Sequence, residues 1–132
     1  MILIDSNVLL DVAKADPKWG AWSRDQIAEG AQRSTLAINP IIFAEVSVTF
    51  ATKAEVDAAF PETDYTRLDL PYPAGFLAGK AFRDYRRRGG VRRSPLPDFF
   101  IGAHAAVAGM SLLTRDPKRY RSYFPKLRLI AP

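Results

Sequence analysis

Cysteine is absent from the 132-residue chain, which excludes a disulfide framework and any thiolate metal site. Oxygen donors are what remains for binding a metal. The same absence fits a reducing compartment, and the expectation is a soluble cytoplasmic protein. Long apolar runs are missing too: the longest, residues 99–113, is broken by His104 and small residues, and falls short of the roughly 18 residues of a membrane span. No basic segment followed by an apolar stretch marks the start, so no signal peptide is expected. Repeats and low-complexity segments are lacking, and glycine and proline are scattered, so neither a fibrous protein nor disorder is indicated. Residues 1–132 are expected to fold as a single domain, since this length buries a real core without dividing comfortably in two.

Charge is plentiful but uneven. The net charge of +5 combines −5 over residues 1–79 with +10 over residues 80–132, where thirteen Lys and Arg face only Asp84, Asp98 and Asp116. Such a basic half is the electrostatic footprint of a polyanion partner, nucleic acid or an acidic protein segment, although solvated helix faces produce the same count. Arginine outnumbers lysine here, and its planar fork grips phosphate oxygens in bidentate fashion.

Apolar runs at 1–4 and 35–38, a weaker one at 66–70, then "SLLT" and "LRLI" read as strands. Between them lie helical stretches: 8–13, about 18–31, one opened by Asn39-Pro40, 53–60, 73–88 closed by Gly89-Gly90, and 97–108 ended by Gly109. "DPKRYRSYF" reads as a turn or short helix. Strands that alternate with helices and are apolar throughout point to a parallel sheet covered on both faces. The predicted fold is therefore a three-layer α/β/α sandwich around a central, mostly parallel sheet of roughly four or five strands. In such sheets ligands bind beyond the carboxyl ends of the strands, where the strand order reverses.

Four acids stand out against this frame. Asp5 ends the first strand and Asp116 follows "SLLT". Asp98 comes directly after Pro97, in the first turn of an apolar helix. Glu45 sits inside "IIFAEVSVTF", sharing a face with Ile41, Ile42 and Val48, while Phe43, Val46 and Phe50 make the other side apolar as well. A carboxylate on a helix that is greasy all round is desolvated, which is costly unless it is paired or bound to a metal. Singly, each acid has a structural explanation: an Asx turn at Asp5, a dipole-favoured first turn at Asp98, a turn before Pro117 at Asp116, a buried salt bridge at Glu45. Together they describe carboxylates that cannot stay ionised side by side without a cation, and hard oxygen donors of this kind suit Mg²⁺ or Mn²⁺. An acidic metal site beside a basic half is the arrangement of a phosphodiester-cleaving enzyme.

"ILIDSNVLLD", "NPIIFAEV" and "SPLPDFFIGAHAAVAGMSLLTRDPKRYRSYFP", in that order, resemble the PIN-domain nucleases, and within them the VapC toxins of toxin–antitoxin pairs. The resemblance spans essentially the whole chain. It implies a PIN-like fold and a Mg²⁺- or Mn²⁺-dependent endoribonuclease with Asp5, Glu45, Asp98 and Asp116 as catalytic and metal-binding residues. Asn7, Thr114 and, more weakly, Ser6 would support them by orienting a carboxylate or the attacking water. A cognate antitoxin covering the site and a toxin homodimer are also implied, with RNA as the substrate. Many relatives carry another acid two or three residues after the position of Asp116, where this chain has Lys118 and Arg119. Those two, with Arg86, Arg87, Arg92, Arg93 and Arg115, are the expected RNA-contacting residues.

Two rivals are a phosphoryl-transfer domain on a similar sheet and a non-catalytic basic module, binding nucleic acid or protein, with structural acids. A haloacid-dehalogenase-type phosphatase wants a second acid where this chain has Asn7. A receiver domain wants an adjacent acid pair, which is not visible. A housekeeping PIN nuclease is the nearer alternative. Asp11 reads as a solvated or helix-pairing acid, His104 as a packed or edge histidine, and Trp19 and Trp22 as core or interface residues at helical spacing.

Overall fold

Five short strands form one all-parallel sheet in the computed structural model, which describes residues 1–132. They are β1 (Ile2–Ile4), β2 (Leu36–Ile38), β3 (Tyr65–Arg67), β4 (Ser111–Leu113) and β5 (Leu129–Ile130), in spatial order β3-β2-β1-β4-β5. Seven helices flank them: α1 (Ser6–Ala13), α2 (Gly20–Arg33), α3 (Pro40–Ser47), α4 (Lys53–Ala59), α5 (Tyr72–Arg87), α6 (Pro97–Ala108) and α7 (Lys118–Tyr123). This is the α/β/α sandwich expected from the alternation of elements. β1 and β2 are buried at every position, as a strand covered on both faces must be. The chain winds from β1 outward through β2 to β3, then returns to lay β4 on the other side of β1. The strand order therefore reverses between β1 and β4, and their register ends Ile4 beside Leu113. The residues that follow, Asp5 and Thr114, emerge together at the carboxyl edge, where parallel sheets place their ligands.

The start and stop residues explain most boundaries. Asn39 caps α3 by accepting a hydrogen bond from the Ile42 amide, with Pro40 at the first helical position. Pro97 opens α6 and Gly109, at φ 67°, closes it in the left-handed region. β3 is an edge strand set one residue earlier than the apolar pattern suggests, with Thr66 and Arg67 half-exposed. One expectation is corrected: α3 buries only Ile42 and Val46, and Val48 beyond its end is 87 % exposed, so the helix is not apolar on all sides. No helix is long and apolar enough to cross a membrane.

The core is continuous across the sheet and under α5, α6 and α7. Gly102 of α6 packs against α7 and the residue that follows it: a Cβ there would lie 2.6 Å from the Phe124 ring and 3.0 Å from Tyr120, both buried. Gly102→Ala should therefore cost about 2 kcal/mol of stability in denaturant unfolding, since neither ring has room to yield. Unchanged stability would show that α7 can shift freely against α6.

Candidate active site

Four segments deliver acids to the carboxyl edge. Asp5, 3 % exposed, ends β1 and caps α1, its Oδ1 accepting from the Ser6 amide at 2.8 Å. Its other oxygen accepts from the Thr114 hydroxyl at 2.9 Å and from the Tyr120 phenol at 2.8 Å. Glu45 reaches in from α3, half-buried, and accepts from the Ser6 hydroxyl at 2.9 Å. Asp98 stands in the first turn of α6, half-buried, with Arg119 donating to it at 3.3 Å. Asp116 is exposed; its amide donates to the Thr114 hydroxyl at 3.1 Å, and its side chain shares with Asp98 a cleft of about 380 Å³ that Tyr85, Lys118, Arg119, Ser122 and Tyr123 complete.

The supporting polar residues hold this edge together. Thr114, fully buried, gives its proton to Asp5 and receives bonds from the Asn7 amide group at 3.3 Å and from the Asp116 backbone. Asn7 also accepts from the Arg115 backbone at 3.2 Å, tying α1 to the segment after β4. Ser6 bridges Asp5 and Glu45.

Electrostatically the acids resist one another. Burial raises the Asp5 carboxyl to about 6, against the pull of Tyr120 and Thr114, with the Asp98 and Glu45 charges adding to the rise. Burial also raises Glu45, which feels Asp98. Asp98 is raised by burial, opposed by Arg119, and raised further by Asp116. No three His, Asp or Glu side chains stand close enough to share an ion as they are placed. The donor chemistry nonetheless suits a hard divalent cation: every nearby candidate ligand is a carboxylate oxygen, and their mutual repulsion is what such an ion relieves.

The family pattern described as the PIN domain matches residues 2–124. The chain belongs to the PIN-domain family. Among solved structures it is similar to VapBC2 from Rickettsia felis bound to a DNA fragment from their promoter, at TM-score 0.75 and 19 % identity over 100 % of this chain and 99 % of that one. It is also similar to VapBC-1 from nontypeable Haemophilus influenzae, at TM-score 0.73 and 19 % identity over 99 % and 98 % of the two chains. A toxin–antitoxin complex from Klebsiella pneumoniae gives TM-score 0.69 and 20 % identity over 98 % and 96 %. No curated protein matches the sequence.

Within this PIN domain, the sequence pattern missed Tyr120. It lies in "KRYRSY", reads as one residue of a basic turn, and proves 1 % exposed with its hydroxyl on Asp5. Burial and the surrounding acids hold its phenol well above its ordinary pKa, so it stays a donor. Asp11 corrects an expectation: it is not solvated but 3 % exposed, gripped by both arms of Arg115 at 2.8 and 3.0 Å and by Ser23 at 2.8 Å. Arg115 is thereby turned inward, and it also approaches the Trp19 ring, which meets Trp22 edge-on. Asp11→Asn should lower stability by about 1 to 2 kcal/mol, because Arg115 keeps partial access to water when its partner is neutralised. A melting temperature equal to the wild type would show the pair to be energetically idle. Arg86 likewise binds the Arg92 carbonyl at 2.7 Å, and Arg88 binds Ser122 and stacks on Tyr123, fixing the basic loop beside the cleft.

Proposed function

We propose that this PIN domain is a Mg²⁺- or Mn²⁺-dependent endoribonuclease acting as the toxin of a VapBC-type pair, cytoplasmic and built as a single domain. The observation that carries the reading is Asp5: a nearly inaccessible carboxylate at the strand-order reversal, fastened by Ser6, Thr114 and Tyr120, with Glu45 and Asp98 close enough to raise it. A structural acid would be paired with a cation, as Asp11 is, yet Asp5 has none.

Asp5, Glu45 and Asp98, with Asp116 at the open end, would hold the ion. When bound, it supplies Lewis acidity to the phosphoryl oxygen and an activated water. Ser6 aims Glu45, and Thr114 and Tyr120 orient Asp5, so the carboxylates are preorganised. Arg119 occupies Asp98 and would give it up as substrate and ion enter, turning its fork to a phosphate oxygen. Lys118 stands in the same cleft and would hold the adjoining backbone. Arg87, Arg92 and Arg93, all exposed, with the Arg92 amide on the Tyr85 hydroxyl at the cleft, would extend the grip on RNA, with Arg86 positioning the loop.

The solved structures similar to this chain are toxin–antitoxin complexes, and this supports a cognate antitoxin that covers the acids. A homodimer of the toxin is part of the same proposal. The test is cleavage of a mixed RNA preparation by purified protein with Mn²⁺ or with EDTA. Degradation only with the ion supports the reading; none under either condition returns the chain to the non-catalytic module.

A further inference from the structure

Between α3 and α6 lies a buried polar pair outside the acidic cleft. Asn39 is 2 % and His104 3 % exposed, and the Asn39 amide nitrogen stands 3.0 Å from His104 Nδ1. The roles in this contact are fixed by a third group: Asn39 Oδ1 already accepts the Ile42 amide at 2.9 Å, so its nitrogen faces the ring. His104 Nδ1 must then be the acceptor, and the ring carries its proton on Nε2. The N-terminus of α3 is thus fastened to the middle of α6, two helices that pack against each other.

The spacing gives this pair its meaning. Glu45 lies six residues after Asn39 on α3, and Asp98 lies six residues before His104 on α6. Six helical residues advance about 9 Å, so each acid stands the same length along its helix from the polar pair, forward in the chain on α3 and backward on α6. The acids at the far end sense each other's charge. Six residues also turn a helix by about 240°, which puts the pair round the side of each helix, out of the cleft. It can set the separation of Glu45 and Asp98 without touching what binds between them.

We propose that Asn39 and His104 are a positioning pair that fixes the distance between Glu45 and Asp98, and thereby the affinity of the site for a divalent cation. The inference rests on the metal-dependent reading above. A purely apolar contact would let α3 slide on α6, because apolar packing is non-directional; a buried hydrogen bond with one allowed tautomer does not.

The test separates the cap from the pair. Asn39→Ser retains an N-cap oxygen for α3 but cannot reach His104. His104→Phe keeps a ring and removes the acceptor, whereas His104→Asn puts an oxygen where Nδ1 stood. Each protein is melted in EDTA and across a Mn²⁺ titration. Asn39→Ser and His104→Phe are expected to need about tenfold more Mn²⁺ for half the thermal shift, the low end of what lost ligand orientation costs, and His104→Asn to restore it. Thr52→Ala, which uncaps α4 away from the acids, is the control for lost stability and should leave the Mn²⁺ requirement alone. Wild-type Mn²⁺ dependence in both pair variants, or an equal loss in Thr52→Ala, overturns the positioning role and leaves the metal site standing. No Mn²⁺ response in the wild type removes both.

Discussion

Asp98→Asn is expected to reduce Mn²⁺-dependent RNA cleavage roughly a thousandfold while leaving the metal-free fold in place. The carboxylate is half-buried; Arg119, itself 40 % exposed, donates to it at 3.3 Å, and the Tyr120 phenol, which also steadies it, keeps Asp5 as its acceptor. Removing one negative charge there takes away a ligand and a large part of the field that holds a cation, yet strands no buried partner. Stability in EDTA should rise slightly, since Asp98 is raised by burial and repels Glu45 and Asp5. Asp116→Asn should lose much less, about tenfold, because Asp116 is exposed and its charge reaches the other acids through Asp98 alone. Wild-type rates in Asp98→Asn, measured on the same RNA at the same Mn²⁺ concentration, would end the claim that this cleft is catalytic.

The difference between Asp98 and Asp116 was invisible in the sequence, where both are acids beside a proline. What could be read locally was the scaffold. α6 runs over the expected residues because Pro97 and Gly109 punctuate both ends, and β1 and β4 end where their apolar runs meet polar residues. Element boundaries drifted where punctuation was ambiguous: α5 starts at Tyr72 behind Pro71 rather than at Pro73. Long-range pairing was the part that local pattern could not supply. Asp11 meets Arg115 across 104 positions, Asn39 meets His104 across 65, and Tyr120 meets Asp5 across 115. Each residue sits in an ordinary helix or turn, and only the winding of the chain around β1 brings the partners together. Arg115 shows the consequence: by charge and position it resembles a phosphate ligand, but a buried acid behind it claims the guanidinium.

Asp5→Asn is expected to stabilise the metal-free protein above pH 6 by about 3 kcal/mol and to flatten its pH dependence. The Asp5 carboxyl sits at about 6 in the fold against 3.8 as a model group, so the folded state holds its proton more tightly. Stability from this group is complete below about pH 4 and is lost as the pH rises through 6, where the buried carboxylate must ionise. Glu45 and Asp98, raised in the same direction, contribute the same sign. His104 works oppositely: burial lowers it, so acid draws protons onto the unfolded chain and erodes stability below pH 6.5. The wild-type profile alone therefore mixes opposing effects, and the difference between wild type and Asp5→Asn isolates Asp5, because His104 is common to both. Tyr120 can serve the new amide as acceptor as well as donor, whereas the Thr114 oxygen already accepts from Asn7 and the Asp116 backbone; the small cost of that mismatch is the same at every pH. Urea unfolding in EDTA at pH 5 and pH 7.5 measures the difference. It should be about 1.5 kcal/mol at the lower pH, midway through the window, and about 3 kcal/mol at the higher; a variant less stable than wild type at both would show that Asp5 is held by its three donors more strongly than burial and its neighbours repel it.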